Sequence, residues 1–455
     1  MFLGGTPSLN SNSTRENTKR LKTQNYCQTI NEKNERKFFS AFEKNLLDLK
    51  PTLTFKMEMS QRRKSMEGNF EFYNPTKIYF GKGSISALKS ELSHFGKRIL
   101  LAYGTGSIKR NGIYSDVTKI LKKSEKEIYE LGGIHSNPSY ESVLKGKELI
   151  EKNHIDFILA VGGGSVIDCA KAVAAAVNEP DPWGKYYERQ EELTHKVTPI
   201  GTILTMVGTG SEMNSGSVIT NEEKKLKIGK VYGEYNYPVF SILDPSYTLT
   251  VPYPQMVSGI FDMFSHLMEQ YFSEESGNTS DYLLEGLMRA VISHGKKASK
   301  NPTDYDARSN LMWDATLALN TLLGLSKKQD WNVHGIEHQL GAYTHCPHGL
   351  GLAVISYPYY RYISQFGKDQ FEKFALNVFQ IEKGDKSQDE IIKEGLDKLE
   401  DFIVTLKIPT TLKELGATRE MLPLIANSAY QNGLGGGYHP LSEKETLDIL
   451  ENCFE

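Results

Sequence analysis

The sequence predicts an α/β domain with a doubly wound, mostly parallel sheet, followed by an all-α domain. Three observations carry this reading. Short apolar runs alternate with helical periodicity from Lys97 to Leu243. Two of these runs stop in turns rich in glycine and hydroxyl groups, Gly162-Gly163-Gly164-Ser165 and Thr205-Met206-Val207-Gly208-Thr209-Gly210-Ser211. After about Pro252 only helical spacing is found. Strands of a parallel sheet are covered on both faces and read as continuous apolar runs, and alternation with helices is the mark of that architecture.

The elements follow in order. Arg98–Tyr103 is a first strand stopped by Gly104, and residues 112–122 have helical spacing. Glu127–Leu131 reads as a second strand and Tyr140–Asn153 as an amphipathic helix. Asp156–Val161 is nearly continuous in apolar residues, and the alanine-rich stretch Val166–Val177 is helical. Val197–Leu204 and Val239–Leu243 extend the sheet. Helical patterns then cover Gln255–Phe272, Ser280–Ala298, Tyr305–Leu323, Asp369–Phe379, Gln388–Thr405 and Glu443–Cys453. The boundaries are residues 66–250 for the α/β domain and 251–455 for the helical one.

Residues 1–65 differ in texture, with 13 Lys and Arg against six Asp and Glu. Glu16, Glu32 and Glu35 argue against a transit peptide, and a disordered basic extension is expected there. The whole chain has 455 residues, a net charge of −3 and 39% hydrophobic content, which suits a globular protein with a sizeable core. That balance gives no case for a nucleic-acid partner, and no apolar stretch is long enough to span a membrane. Four separated cysteines without a CxxC pair favour a reducing compartment, so a cytoplasmic location is expected.

A strand, a glycine turn and a helix in succession aim backbone N–H groups and a helix N-terminus at an anion. In Gly162-Gly163-Gly164-Ser165 the glycines admit phosphate oxygens, and Ser165 can cap the helix. A tight strand-to-helix turn would look the same. The second turn, at Thr205, favours a dinucleotide pyrophosphate in the crevice at the carboxyl ends of the strands. A third turn, Gly104-Thr105-Gly106-Ser107-Ile108-Lys109-Arg110, carries no acidic residue to bind a ribose 2′-hydroxyl. Its small residues, Ser107 and the Lys109-Arg110 pair suit a 2′-phosphate, hence NADP(H) in preference to NAD(H).

The chain's 11 histidines include four within 15 residues: His334, His338, His345 and His348. Upstream, Asp262 and His266 stand at i and i+4 in an apolar helical pattern, which puts both on one helix face. One Asp and three His suit Fe2+ or Zn2+ with a position left for substrate. Two readings compete. His334-Gly335-Ile336-Glu337-His338 matches the HxxEH pattern of a zinc-dependent hydrolase or peptidase, with Glu337 as general base. Metal-assisted hydride transfer uses the glycine turns and Asp262/His266 as well.

On these motifs the chain resembles a known family. Phe72-Tyr73-Asn74-Pro75-Thr76, Phe80-Gly81-Lys82-Gly83, the three turns, Asp262-Met263-Phe264-Ser265-His266 and the run His334–Gly349 are similar to the iron-containing (group III) alcohol dehydrogenases, in their butanol dehydrogenase-like branch. The resemblance implies a dehydroquinate synthase-like architecture and interconversion of small aldehydes and primary alcohols with NAD(P)H. It also implies a homodimer. It puts metal ligands at Asp262, His266, His334 and His348, and a proton relay at His338. Phosphate contacts fall on Gly163, Gly164, Ser165 and Thr205, Asp168 lies towards the nicotinamide, and Lys227 reaches the ribose. Met206-Val207 departs from the small residues common in relatives.

Overall fold

The computed structural model describes residues 70–273 and 278–455. The basic extension expected over residues 1–65 lies outside the described residues. The described residues form one compact unit. Its strands are β1 (Lys77–Phe80), β2 (Arg98–Gly104), β3 (Glu127–Ile134), β4 (Phe157–Gly162), β5 (Ile200–Leu204), β6 (Gly216–Asn221), β7 (Leu226–Val231) and β8 (Phe240–Leu243). The longer helices of the first half are α1 (Ile113–Lys123), α2 (Tyr140–Asn153) and α3 (Gly164–Ala176). Those of the second are α4 (Tyr253–Tyr271), α5 (Thr279–Lys300), α6 (Tyr305–Ala318), α7 (Asn332–Thr344), α8 (His348–Ile363), α9 (Lys368–Asn377), α10 (Gln388–Thr405), α11 (Met421–Gln431) and α12 (Glu443–Asn452).

Six strands form one sheet in the order β1-β8-β5-β4-β2-β3, and every neighbouring pair is parallel. Alternate residues of β2 and β4 divide between its two faces. Leu100, Ala102, Ile158 and Ala160 meet Val143 and Ile150 of α2 and the alanines of α3. Ile99, Leu101, Phe157 and Leu159 meet Val117 and Leu121 of α1. Covering on both faces is why these strands are apolar throughout. From β2 the chain runs outward to β3, then crosses back past β2 to β4. This reversal opens a crevice beyond the carboxyl ends of β2 and β4.

The remaining pair, β6 and β7, is an antiparallel hairpin outside the main sheet. Neither this hairpin nor edge strand β1 is foreseen by the sequence pattern. Among the described residues no strand follows Leu243. Helix α6 stops at Ala318, five residues before its apolar pattern does, because Leu319 leaves helical conformation (φ −142°, ψ 57°), and Thr321 then turns left-handed (φ 75°). Helix α4 is buried at every residue from Met256 to Tyr271, as expected of a helix at the centre of a helical layer. Glycine lets its neighbours approach: a Cβ on Gly259 would lie 2.1 Å from the Val207 carbonyl oxygen, and one on Gly349 would lie 1.9 Å from that of Ser258. Among the described residues no helix is long and apolar enough to cross a membrane.

Candidate active site

The three glycine turns meet at the crevice. Gly163 caps α3 in an extended conformation and no side chain caps the helix, so Ser165 does not take the capping role expected of it. A backbone carbonyl at the N-cap leaves the first N–H groups of α3 without side-chain competition for an anion. The Thr205 N–H donates to the Gly162 carbonyl at 2.9 Å, which ties the second turn to the first. Contact is closest at Gly164, where a Cβ would lie 2.3 Å from Thr209 Oγ1. Gly208 leads onward, since its Cβ would lie 2.9 Å from Asp262 Oδ2.

Asp168 points inward. Its carboxylate accepts from Ser211 Oγ at 2.5 Å and from the Val218 N–H at 2.9 Å. Beside it lies Lys171, fully buried on α3. The Lys171 ammonium donates to Ser211 Oγ at 2.8 Å, Asn214 Oδ1 at 2.9 Å and the Gly216 carbonyl at 2.9 Å. Burial lowers the Lys171 pKa to about 8 while Asp168 and Glu212 oppose the shift. Three acceptors match the three protons of an ammonium. One side chain therefore fastens the second turn and the base of the β6–β7 hairpin to α3.

At the third turn, Gly104 ends β2 and Ser107 opens a single helical turn, Ser107–Arg110. Lys109 Nζ donates to Tyr103 Oη at 2.7 Å and stands 3.7 Å from Glu130 Oε2 on neighbouring β3. The turn has no acid of its own, but the sheet brings one to it.

Three of the four expected ligands, Asp262, His334 and His348, bring one donor atom each within 4.8 Å of one another below the second turn, while the His266 donor nitrogen meets the group only at Asp262. Asp262 Oδ1 lies 3.3 Å from His266 Nε2, 3.9 Å from His334 Nε2 and 3.6 Å from His348 Nε2. Donors about 2.1 Å from a tetrahedral ion stand ~3.4 Å apart, so the separations of Asp262 from His334 and His348 fit a divalent metal, and His266 completes the set only by moving towards them. Asp262 Oδ1 and His334 Nε2 are buried without a hydrogen-bond partner, as donor atoms for a cation would be. The donor set of one carboxylate and three imidazoles suits Fe2+ or Zn2+.

The electrostatics divide the donors: His266 is held neutral, while His334, without an ion, is held protonated by its carboxylate neighbours. Burial favours a protonated Asp262, but His266, His334 and His348 outweigh it and hold the carboxyl at about 2. Burial pulls His266 down to about 4, leaving a neutral ring. Burial also acts against His334, yet Glu269 and Asp262 lift that ring to about 9. His338 sits beside the cluster, its ring 6.0 Å from that of His334 and 5.6 Å from that of His348. Burial, then the Lys227 ammonium, push it well below its ordinary range.

Two carboxylates stand behind the ligands, one missed by the sequence reading and one read there in another role. Glu269, fully buried on α4, accepts from the His334 N–H at 3.1 Å and from its Nδ1. Glu337 accepts from His348 Nδ1 and from Lys227 Nζ, the latter at 3.0 Å. Such contacts fix which imidazole nitrogen carries the proton and turn the other towards the ion. Glu269 stands three residues beyond His266 on the same helix face, a signal available in the sequence. Glu337, read there as a possible base, is engaged by Lys227 and His348. Trp331 closes the side of the cluster, its ring 5.2 Å from His334 and 6.1 Å from His266.

A switch-point crevice beside an Asp/His cluster defines a metal-dependent dehydrogenase. The iron-containing alcohol dehydrogenase profile matches residues 75–245, and the Fe-containing alcohol dehydrogenase C-terminal profile matches residues 256–454. The chain belongs to the iron-containing alcohol dehydrogenase family, whose members are pyridine-nucleotide oxidoreductases interconverting alcohols and aldehydes. It is 40% identical over 391 residues to NADH-dependent butanol dehydrogenase A of Clostridium acetobutylicum, covering 85% of this chain and all of the relative. It is 35% identical over 393 residues to the NADPH-dependent aldehyde reductase YqhD of Escherichia coli K12, covering 85% and 99%. The crystal structure of NADH-dependent butanol dehydrogenase A from Thermotoga maritima superposes with a TM-score of 0.81 at 35% identity, over 85% of this chain and 99% of that one. The hydrolase reading of His334–His338 finds no support in this fold or among these relatives.

Proposed function

We propose that the chain reduces small aldehydes of the butanal type to primary alcohols, and runs the reverse reaction, with NADP(H) preferred over NAD(H). The observation that carries this reading is the contact at Gly208: the turn expected to hold the pyrophosphate abuts Asp262, so cofactor and metal donors share one crevice. Residues 66–250 supply the nucleotide half and 251–455 the metal half. A divalent ion, Fe2+ or Zn2+, held by Asp262, His266, His334 and His348 would polarise the carbonyl oxygen, and the nicotinamide would supply hydride. Gly163, Gly164, Ser165 and Thr205 receive the pyrophosphate, Gly104 and Ser107 the adenosine end, and Lys227 the ribose. Asp168 braces the second turn through Ser211. His338, beside the cluster, relays a proton to the substrate oxygen, taking one from solvent at its other nitrogen as it gives one up.

Cofactor preference rests on the absence of an acid between Tyr103 and Asn111, with Glu130 tempering the Lys109 charge. Three described cysteines, Cys169, Cys346 and Cys453, are buried and unpaired, which suits the cytoplasm. Phe80 on edge strand β1 stays 43% exposed against Trp313, a surface suited to a homodimer. A monomer by light scattering would overturn that part.

The test is absorbance at 340 nm with butanal, metal-loaded protein and either NADPH or NADH. Consumption abolished by a chelator, and lost with bound metal in Asp262→Asn, is the expected result. Metal-independent consumption, or none with any of several aldehydes, would overturn the assignment.

A further inference from the structure

The Lys227–Glu337–His348 contact joins the two halves of the crevice through one oxygen atom. Glu337 is fully buried and Lys227 is 3% exposed. Glu337 Oε2 accepts both the Lys227 ammonium and His348 Nδ1, and those two donors stand 3.4 Å apart. The other oxygen, Oε1, is buried without a partner, and a Cβ on Gly341 or Gly351 would come within 3.2 Å of it. Glycine at both positions leaves the carboxylate room to turn. Lys227 is held from behind as well, since Gln339 Nε2 of α7 donates to its carbonyl at 3.1 Å. The backbone of β7 is thus held at Lys227, so a redirection of its charge falls to the side chain alone.

We propose that Glu337 is a positioning residue that couples nucleotide binding to metal binding. With the crevice empty, Glu337 divides its charge between Lys227 and His348. This inference rests on the reading above, in which Lys227 turns to the ribose when nucleotide binds. The carboxylate then serves His348 alone, holds its Nδ1–H firmly and fixes Nε2 on the ion. Nucleotide therefore tightens metal binding and, by linkage, metal tightens nucleotide binding to the same degree. Among the described residues no such cation stands beside Glu269, so its half of the cluster is insensitive to nucleotide.

The experiment is competition for Zn2+ between the metal-stripped full-length protein and a chromophoric chelator, with and without saturating NADPH. NADPH binding is followed separately by its fluorescence. Expected is a gain in zinc affinity of roughly tenfold on adding NADPH, within the usual range for coupled sites. Glu337→Gln should still bind both but lose the gain. Lys227→Met should bind zinc as tightly without nucleotide as the wild type does with it. Wild-type protein that binds NADPH and zinc with no coupling would overturn the inference and leave the dehydrogenase reading standing. Undiminished coupling in either variant would also overturn it. Failure of the wild type to bind one of the two ligands would instead sink the functional reading.

Discussion

Replacing Lys171 by Met tests whether one buried ammonium holds the second turn in place. Methionine keeps most of the volume but removes three hydrogen bonds and the cation facing Asp168. Breaking a buried charge constellation by deleting one partner costs about 3–5 kcal/mol, so Lys171→Met should lose at least about 3 kcal/mol at pH 7. The sign with pH is definite. Lys171 titrates at about 8 in the fold and near 10.5 when unfolded, so between these values the unfolded chain binds more protons. Wild-type stability therefore gains from this group as pH rises from 8 to 10.5, by up to about 3 kcal/mol. The Met variant has no such gain, and the gap between the two should widen across that window. Urea denaturation at pH 7, 8, 9 and 10 reads the gap, and NADPH fluorescence reads the turn. A gap that stays constant or narrows, or unchanged nucleotide affinity, would refute the reasoning.

Other outcomes follow from single contacts. Gly164→Ala would drive a methyl to within 2.3 Å of Thr209 Oγ1, lowering stability by about 1–3 kcal/mol and NADPH affinity by tenfold or more. Adding Thr209→Gly should restore binding, and a titration showing no loss in the single variant would remove this turn from the nucleotide site. Glu130→Gln frees Lys109 of an exposed partner and should raise the NADPH-to-NADH ratio of kcat/KM about two- to fivefold. A ratio that stays put would show that Lys109 lies outside the pocket. Thr321 is β-branched, exposed and left-handed, so Thr321→Asn should stabilise by about 1 kcal/mol and raise Tm by a degree or more. A lower Tm in calorimetry would contradict that account.

The central parallel strands are legible because burial on both faces leaves them few polar residues, such as Thr202 and Ser241, which hydrogen-bond each other inside the sheet. Strand β1 is half exposed at the edge, and the hairpin hides behind the buried lysines Lys227 and Lys230, which read as surface residues. Both escape periodicity for that reason. Helix α6 over-runs in the sequence because Leu322 and Leu323 extend its apolar spacing past the turn at Thr321. The Asp262/His266 pair is legible because two ligands four residues apart must share a helix face. Glu130 is a different case: it reaches the third turn only through the register of β2 with β3, which no local pattern encodes. Glu337 is visible as a charged residue in a metal motif, yet its role depends on a lysine 110 residues away.

The glycines flanking α4 give the metal cluster an unusual kind of robustness. Gly259 brings the helix against the Val207 carbonyl, and Gly349 brings the first turn of α8 against the Ser258 carbonyl. Main chain rests on main chain on both sides of the segment that carries Asp262. The spacing among the donors is thereby set by peptide units, which every amino acid shares, and not by the sizes of neighbouring side chains. Walls such as Met206 and Trp331 can drift in shape through mutation while the ion's seat keeps its dimensions. A lineage of such proteins is free to explore new substrates without re-inventing its inorganic chemistry each time.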